Sequence, residues 1–270
     1  LQIKIEIKLI IIIFEFALFN SECLGKNTSF MITNSELKYI KKLERKKYRN
    51  LYSHFVVEGE KVFKDFFDSN IPIYKSYSTK EIKGQNSTIV TYNCMKRMTF
   101  LKSPSNVLGI FSTHMKKNPP LDKKVLVLDD VSDPGNLGSI IRLCDWFGFE
   151  NIVCSKQTVD CYNPKVVQSS MGSLARINIF YEDLNSYLSK VSIPVYGTFL
   201  KGDFVNRVTF PSEFVLIFGN ESNGISKSIS KFVSQKITIP KRSKSVIDSL
   251  NITSATAIIM NKISNQSFKC

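Results

Sequence analysis

The stretch VLVLDDVSDPGNLGSIIRLCDWFG, residues 125–148, decides how the rest of the chain is organised. Its first four residues are apolar, as in a buried parallel strand. Asp133, Pro134 and Gly135 favour a turn, and Asn136 suits a helix cap. The next apolar residues recur at the spacing of one helix face: Ile140, Leu143, Cys144 and Phe147. Gly148 then ends the predicted helix. The stretch predicts a strand, a tight polar turn and a helix, and ligands bind at such strand ends in open α/β sheets.

Arg142 lies off the apolar stripe of this predicted helix, one turn before Trp146. In an arbitrary helix such an arginine is a solvated surface residue. Two later segments favour a functional interpretation, because they repeat the pattern of an apolar strand followed by a polar loop. One is FVLIF at 214–218 with GNESNG at 219–224. The other is KITIP at 236–240, followed after a basic loop by DSLNITSATA at 248–257.

These segments, in this order, resemble the three motifs of the SpoU family, the SPOUT-class RNA 2′-O-ribose methyltransferases. The motifs are Asn-x-Gly-x-x-x-Arg, Gly-Asn-Glu-x-x-Gly, and Ile-Pro followed by Ser-Leu-Asn-x-(Thr/Ser)-x-Ala-x-Ala, and they fall within residues 125 to about 262. The resemblance implies a C-terminal parallel-sheet α/β domain with a trefoil knot. It also implies S-adenosylmethionine as methyl donor, a ribose 2′-hydroxyl of rRNA or tRNA as acceptor, and a homodimer with its active site at the subunit interface.

The resemblance also places the family's functional residues on matching positions. Arg142 takes the place of the catalytic arginine, and because arginine stays protonated, it would stabilise developing alkoxide charge instead of removing a proton. Asn136 would hold Arg142 or the ribose, and Glu221 would orient an arginine or bind the substrate. The rest of the polar rim would be Ser249 and Asn251, and the donor would be held by Thr198, Gly219, Asn220, Ile239 and Leu250. By residue type alone, Asn251 is also a plain helix cap and Glu221 a solvated loop carboxylate.

Strands and helices alternate through residues 124–270, which predicts a doubly wound parallel sheet. The predicted strands lie near 125–128, 151–154, 177–180, 195–199, 214–218 and 236–239. The predicted helices lie near 137–147, 164–171, 184–190, 227–233 and 250–261. No GxGxxG follows the first strand and no GxxxxGK(S/T) occurs. The sequence therefore argues against a nicotinamide-dependent or P-loop enzyme.

The excess positive charge is concentrated in the first half. Residues 31–120 carry 17 Lys or Arg and 7 Asp or Glu, a net +10, whereas residues 121–270 carry 17 and 13, a net +4. This asymmetry predicts a surface for a polyanion, with a solubilising basic surface as the alternative. We expect RNA phosphates to contact a basic cluster in the first helix and the loop after it: Lys41, Lys42, Arg45, Lys46, Lys47 and Arg49.

Residues from about 35 to 111 carry a second resemblance. They read as a helix, a Lys-rich loop, a strand with Phe-x-Val-Glu-Gly at 55–59, and a helix, followed by strands near 71–74, 89–92 and 107–111. This order is similar to the substrate-binding domain that precedes the catalytic domain in many SpoU enzymes, a small ribosomal-protein-like α/β sandwich. We therefore predict an RNA-binding domain at 31–112, a polar, proline-bearing linker at 113–123 and the catalytic domain at 124–270.

Residues 1–30 fit neither domain. An apolar run at 9–19 is too short to span a bilayer, and the first Met is Met31. We interpret this segment as upstream sequence ahead of a start at Met31, with a targeting or amphipathic extension as the alternative; a membrane tether through residues 1–19 is a third hypothesis. The six cysteines form no CxxC pair, and no His has zinc spacing. This pattern predicts a cytoplasmic protein without disulfides, a metal or a membrane partner.

The third motif departs from the family in one respect. Eight residues separate Pro240 from Ser249, at 241–248, where the family usually has six including a Gly. Because this loop would border the donor, a second hypothesis is an RNA-binding module of the same fold that has lost efficient donor binding.

Overall fold

A computed structural model describes residues 31–82, 84–242 and 246–267. The predictions made for residues 1–30 lie outside this described part. Within it, the chain forms a four-stranded sheet in the first half and a six-stranded sheet in the second.

The first half is a sheet of strand order β1-β4-β2-β3 with four helices. Its strands β1 and β2 both pair antiparallel with β4, and β2 pairs parallel with the short β3. The elements are α1 Asn34–Lys42, α2 Lys46–Tyr52, β1 His54–Glu58, α3 Glu60–Asp68, β2 Ile73–Ser78, β3 Thr88–Ile89, α4 Tyr92–Met98 and β4 Val107–Ser112. The predicted helix near the start begins with a capping box, in which the Thr33 side chain accepts from the Glu36 backbone and the Glu36 side chain accepts from Thr33.

Two sequence predictions for this half are wrong. The basic segment after α1 is a helix, α2, and not a loop. The strand predicted near 89–92 stops at Ile89, because the Thr91 side chain accepts a hydrogen bond from the Cys94 N–H and so caps α4. The β-branched and aromatic residues of this segment resembled a strand, but the threonine cap decided the local structure.

The second half is the predicted parallel sheet, with strand order β10-β8-β9-β5-β6-β7 and only parallel pairs. The elements are β5 Val125–Leu128, α5 Pro134–Phe147, β6 Asn151–Ser155, α6 Pro164–Ser169, β7 Asn178–Glu182, α7 Leu184–Leu188, β8 Val195–Phe204, β9 Val215–Phe218, α8 Lys227–Ser230, β10 Gln235–Thr238 and α9 Ile252–Ser267. Both faces are covered: Leu126 and Leu128 join the cluster containing α5, α6 and α9, whereas Val125 and Val127 join that of α7 and α8. The doubly wound fold class is therefore confirmed.

Helix α5 begins earlier than the apolar spacing indicated. Asp133, not Asn136, is its N-cap: the Asp133 carboxylate accepts from the Asn136 N–H at 2.8 Å, and Pro134 fills the first turn. Gly148 ends the helix in the left-handed region at φ 68°, as predicted. The Asn136 side chain, not being used as a cap, is free to point into the adjoining loops.

The two sheets share one hydrophobic core in spite of the polar segment between them. Phe55, Phe66 and Phe111 of the first half belong to the same cluster as Tyr162 and Leu174 of the second. The Phe55 and Tyr162 rings lie 4.5 Å apart. Residues 113–123, which the sequence predicts as a linker, therefore join two halves that are packed together.

Candidate active site at the carboxyl edge of the parallel sheet

The strand order fixes where a site can form. From β5 the chain proceeds outward through β6 and β7, then crosses to β8 and returns to place β9 beside β5. The loops after β5 and β9 consequently leave the sheet side by side at the point where the direction of winding changes. This is where open α/β sheets bind ligands.

Glu221, in the loop after β9, joins these two loops. Its carboxylate accepts from the Ser132 N–H and hydroxyl, both at 3.3 Å, from the Asp133 N–H at 3.3 Å, and from Asn136 Nδ2 at 3.1 Å. Partial burial acts to raise the pKa of Glu221, but the hydrogen bonds from Asn136, Asp133 and Ser132 outweigh it and hold the pKa below 4.5. Glu221 is therefore an ionised acceptor that fixes the turn before α5.

Asn136 continues the network toward the C-terminal helix. Its Oδ1 accepts from Asn251 Nδ2 at 3.2 Å and from Thr253 Oγ1 at 3.3 Å. These two donors fix the orientation of the amide and leave Nδ2 to donate to Glu221. We call Asn136, Glu221, Asn251 and Thr253 the edge site. It unites the three sequence motifs from positions up to 117 residues apart.

Asn251 combines the two roles that the sequence left open. Its Oδ1 accepts from the Thr253 N–H at 2.8 Å, next to the start of α9, while its Nδ2 donates to Asn136. The residue is thus both a helix cap and a member of the edge site.

The loop after β9 is closed tightly on itself. Asn220 and Gly224 exchange backbone hydrogen bonds at 3.0 and 2.9 Å, and Asn220 Nδ2 donates to the Asp130 carbonyl at 2.7 Å. A Cβ at Gly219 would lie 2.0 Å from the Gly224 carbonyl carbon, so any other residue there would force the loop apart. Glycine at 219 is a packing requirement of this loop.

The predicted donor-binding residues lie within β8 or after β9 and β10, which are three neighbouring strands of the sheet. Thr198 donates its hydroxyl to the Ile217 carbonyl at 3.1 Å, which joins β8 to β9. Ile239 is half-buried against the core, and Leu250 is 51% exposed. Ser249 is exposed beside Leu250 and makes no hydrogen bond with other described residues. The centre of the loop before them, residues 243–245, lies outside the described part.

Arg142 stands apart from the edge site. Its side chain is exposed and makes no hydrogen bond or ion pair with any residue in the described ranges. It lies six positions after Asn136 on α5, which places it about 9 Å farther along the helix axis and on a different face. Within one chain, neither Asn136 nor Glu221 holds Arg142.

Sequence reasoning missed several residues of this site. Ser132, Asp133 and Thr253 all hydrogen-bond within the network, and Asp130 takes the left-handed region at φ 63°. Thr253 occupies the Thr/Ser position of the third motif, so the motif itself contained that signal. The others lie in the polar turn, where Ser132 and Asp133 are identified by their contact with Glu221 and Asp130 by the hydrogen bond from Asn220 to its carbonyl.

The basic cluster divides into exposed and buried residues. Lys41, Lys42, Arg45, Lys46 and Lys47 are exposed, and Lys41 also donates to the Thr99 carbonyl at 2.7 Å. Arg49 is only 2% exposed. Its guanidinium is bound by Asp160 Oδ2, at 2.9 Å from Nε and 2.5 Å from Nη2, and by the Leu43 and Glu44 carbonyls. Arg49 uses its donors inside the protein, which argues against the predicted contact of Arg49 with RNA.

The described residues lack both a metal-binding cluster and a membrane-spanning helix. They contain no group of three or more His, Cys, Asp or Glu side chains arranged to hold a metal ion. None of their helices is both long enough and apolar enough to cross a bilayer.

Comparison with known families matches both halves of the chain. Residues 123–261 match the model of the SpoU rRNA Methylase family, and residues 34–109 match that of the MRM3-like substrate binding domain. The matched ranges correspond to the parallel sheet with its helices and to the four-stranded sheet.

Individual proteins show the same likeness. The 23S rRNA (guanosine(2553)-2′-O)-methyltransferase RlmP of Bacillus subtilis is 28% identical over 239 residues, which are 84% of this chain and 95% of that protein. Human mitochondrial rRNA methyltransferase 3 is 27% identical over 163 residues, 52% of this chain and 39% of that protein. A crystal structure of an rRNA methyltransferase from Sinorhizobium meliloti with AdoMet (S-adenosylmethionine) bound superposes with a TM-score of 0.77 at 27% identity. The superposition covers 87% of this chain and 96% of the Sinorhizobium meliloti chain.

Proposed function

The chain belongs to the SpoU rRNA methylase family, and from this membership we propose that the edge site, with Arg142, methylates a ribose 2′-hydroxyl in a structured RNA. The protein is an S-adenosylmethionine-dependent RNA 2′-O-methyltransferase. Ribosomal RNA is the first substrate to test, because the Bacillus subtilis relative is named for methylation of 23S rRNA.

One observation carries the assignment of the residues. The Glu221 carboxylate and the Asn136 amide hold the three motif segments together at the switch point of the sheet. Polar side chains from these three distant segments meet there. A positioning site accounts for the arrangement, since methyl transfer from an activated donor depends mainly on alignment.

The residues present suit the donor. Ile239 is half-buried and Leu250 is 51% exposed, so both offer partly open apolar side chains of the kind that line small-molecule sites. Thr198, Gly219, Asn220, Ile239 and Leu250 would hold S-adenosylmethionine. When bound, it supplies a methyl group already activated on a sulfonium.

Arg142 supplies positive charge to the reacting oxygen. A guanidinium stays protonated, so its role is to stabilise the negative charge that develops on the 2′-oxygen as the proton leaves. The Arg142 side chain is exposed and has no hydrogen-bond or ion-pair partner among the described residues, so its donors are available to the RNA. Asn136 and Glu221 position the turn before α5, and Ser249 and Asn251 line the rim on which the ribose rests.

The distance between Arg142 and the edge site supports a site shared between two chains. In a homodimer, Arg142 of one chain would face the edge site of the other, because the two groups are about 9 Å apart along one helix. The exposed Trp146 and Ile258 on the adjoining helices offer apolar surface for such a contact. We include in this proposal a knotted path of the chain through the C-terminal segment.

The roles of the two halves and the cellular location of the protein are also part of the proposal. Residues 31–112 would bind the RNA, residues 113–123 would link the two halves, and residues 124–270 would catalyse the methyl transfer. The four described cysteines are buried and free, which is in keeping with a cytoplasmic protein.

The direct test is methylation of total RNA by the purified protein, with mapping of the modified nucleotide. We expect label on a ribose 2′-oxygen. Arg142→Ala should lower the rate at least about a hundredfold, and Arg142→Lys should also fail because lysine lacks the planar fork. Calorimetric binding of S-adenosylmethionine should persist in both variants. Label only on bases, or rates within a few-fold of wild type, would contradict the assignment.

Heterodimers test whether Arg142 acts across the interface. Arg142→Ala and Glu221→Gln chains with different tags are co-expressed, after each homodimer has been shown to be inactive. If Arg142 acts on the partner's site, the heterodimer contains one intact site and regains activity. If it acts within its own chain, both sites carry one defect and activity stays absent.

The longer third-motif loop favours one alternative, an RNA-binding module that has lost efficient donor binding. Calorimetry separates the two: RNA binding without any heat from millimolar S-adenosylmethionine would support the module.

A further inference from the structure

A row of aromatic rings lies in the first half, outside the edge site. Tyr48 and Tyr52 are one turn apart on α2, with centroids 6.3 Å apart and ring planes at 13°. Tyr52 lies 5.0 Å from Tyr39 of α1, Tyr39 lies 5.8 Å from Tyr74 of β2, and Tyr74 lies 4.4 Å from His54 of β1. We call these five rings the aromatic row.

The aromatic row is open to solvent along its length. Tyr74 is 60% exposed, and the other four rings are partly exposed. Tyr39 and Tyr52 also pack against the core on their inner side, which is the ordinary reason for such residues. Packing does not explain Tyr74, whose large ring stands at the surface.

An irregularity in the sheet directs Tyr74 outward. Ile73 pairs with Phe111 and Lys75 pairs with Ile110, so the register shifts at Tyr74, which has no partner on β4. Bulges of this kind re-aim a side chain, and they are found next to functional sites. The irregular backbone thus places the Tyr74 ring at the outer end of the aromatic row, and Tyr74 loses its regular pairing with β4.

The inner rings are fixed in place. The Tyr39 hydroxyl lies 2.5 Å from His54 Nδ1. Burial lowers the pKa of His54, so the imidazole is neutral near pH 7 and Nδ1 can accept from the Tyr39 hydroxyl. Rings held in this way lose little freedom when a flat partner stacks on them.

Positive charge flanks the aromatic row. Lys42 Nζ lies 5.4 Å from the Tyr48 ring centroid. Lys38 of α1 and Lys46 and Lys47 of α2 are exposed. Aromatic faces combined with lysines are the elements with which proteins hold single-stranded nucleic acid: bases stack on the rings, and phosphates follow the cations.

Helix α2 lies at the same edge of the parallel sheet as the edge site. Arg49, between Tyr48 and Tyr52, binds Asp160, which follows β6. Lys46 Nζ lies 6.0 Å from the ring of Tyr181, near the end of β7. Since the carboxyl ends of parallel strands share one edge, RNA on α2 can continue to the edge site along one surface.

We propose that the aromatic row is a stacking platform for unpaired nucleotides of the RNA substrate, with the lysines of α1 and α2 on the adjoining phosphates. This inference rests on the proposed function, because it names the part of the RNA substrate that the first half of the chain binds. Paired bases cannot offer their faces to these rings, so the recognised element is a loop, bulge or single strand.

The test is binding of the full chain to an oligouridine dodecamer and to a duplex RNA of equal length, across a series of salt concentrations. Tyr74→Ala should weaken oligouridine binding about tenfold at every salt concentration, and Tyr74→Phe should bind as wild type. Tyr92→Ala is the matched control, because Tyr92 is 57% exposed in the same half and has no ring neighbour among the described residues. Lys42→Gln should instead flatten the salt slope by roughly 0.7.

Two outcomes overturn the proposal: a wild-type preference for the duplex, or oligouridine binding by Tyr74→Ala equal to that of the Tyr92→Ala control. Urea midpoints of both variants establish that each is folded. Methylation of total RNA, measured in parallel, separates this proposal from the enzymatic one. If the wild type methylates RNA but Tyr74→Ala does not weaken oligouridine binding, the proposal on the aromatic row alone is refuted. If Tyr74→Ala weakens oligouridine binding but the wild type does not methylate RNA, the enzymatic assignment alone is refuted.

Discussion

Replacement of Arg49 by Met should destabilise the whole protein, although Arg49 lies in a cluster of basic residues. The side chain is 2% exposed, and its guanidinium donates to Asp160 and to the Leu43 and Glu44 carbonyls. Without it, the Asp160 carboxylate keeps one described donor, the Tyr162 N–H at 3.2 Å. Removing one partner of a buried ion pair costs about 3–5 kcal/mol, because the remaining charge stays desolvated and unpaired.

The free energy of unfolding, measured by urea titration, checks this value. We expect Arg49→Met to lower it by about 3–5 kcal/mol. Arg45→Met is the control, since Arg45 is exposed one turn earlier and should change stability by no more than about 0.5 kcal/mol. Adding Asp160→Asn to Arg49→Met should restore part of the loss, because the orphaned charge is removed.

A loss below about 1 kcal/mol would refute the reasoning, since the pair would then be no stronger than an exposed one. The salt dependence of RNA binding gives a second check. Arg49→Met should leave the slope unchanged, and a slope flatter by roughly 0.7–0.9 would show that Arg49 contacts a phosphate after all.

Two further predictions concern the loop after β9. Gly219→Ala should abolish donor binding in calorimetry and lower the urea midpoint, because its Cβ would lie 2.0 Å from the Gly224 carbonyl carbon; unchanged donor affinity would contradict the packing argument. The pKa of Glu221 is held below 4.5, so its contribution to stability is present above that pH and is lost as the pH falls through the lowered value. Urea midpoints of Glu221→Gln should therefore depend less on pH in the acid range than those of wild type, and identical acid profiles would remove Glu221 from the network.

Local patterns in the sequence predicted the second half well. The apolar runs and glycines set all six parallel strands near their observed positions, and the resemblance to the SpoU motifs selected Asn136, Glu221 and Asn251, which meet at the edge site. Such features can be read from the sequence because apolar periodicity, turn residues and caps act over a few neighbouring positions.

The first half was predicted less well, for the same physical reason. Its helices are short, and α2 and α4 are 7 residues each. A periodic pattern over so few positions does not separate a helix from a loop or a strand. At α4 a single threonine cap outweighed the strand-like residues that follow it.

Burial and long-range pairing were decided only by the tertiary structure. Arg45 and Arg49 have the same charge and lie four positions apart, yet one is exposed and the other is bound to Asp160, 111 residues farther along the chain. The segment at 113–123 has the composition of a linker, but the aromatic residues before it pack into one core with those after it. The sequence alone determined the local elements and the motif residues, because both depend on near neighbours. Which cations are exposed, and which hold the two halves together, depends on contacts that exist only once distant segments have met.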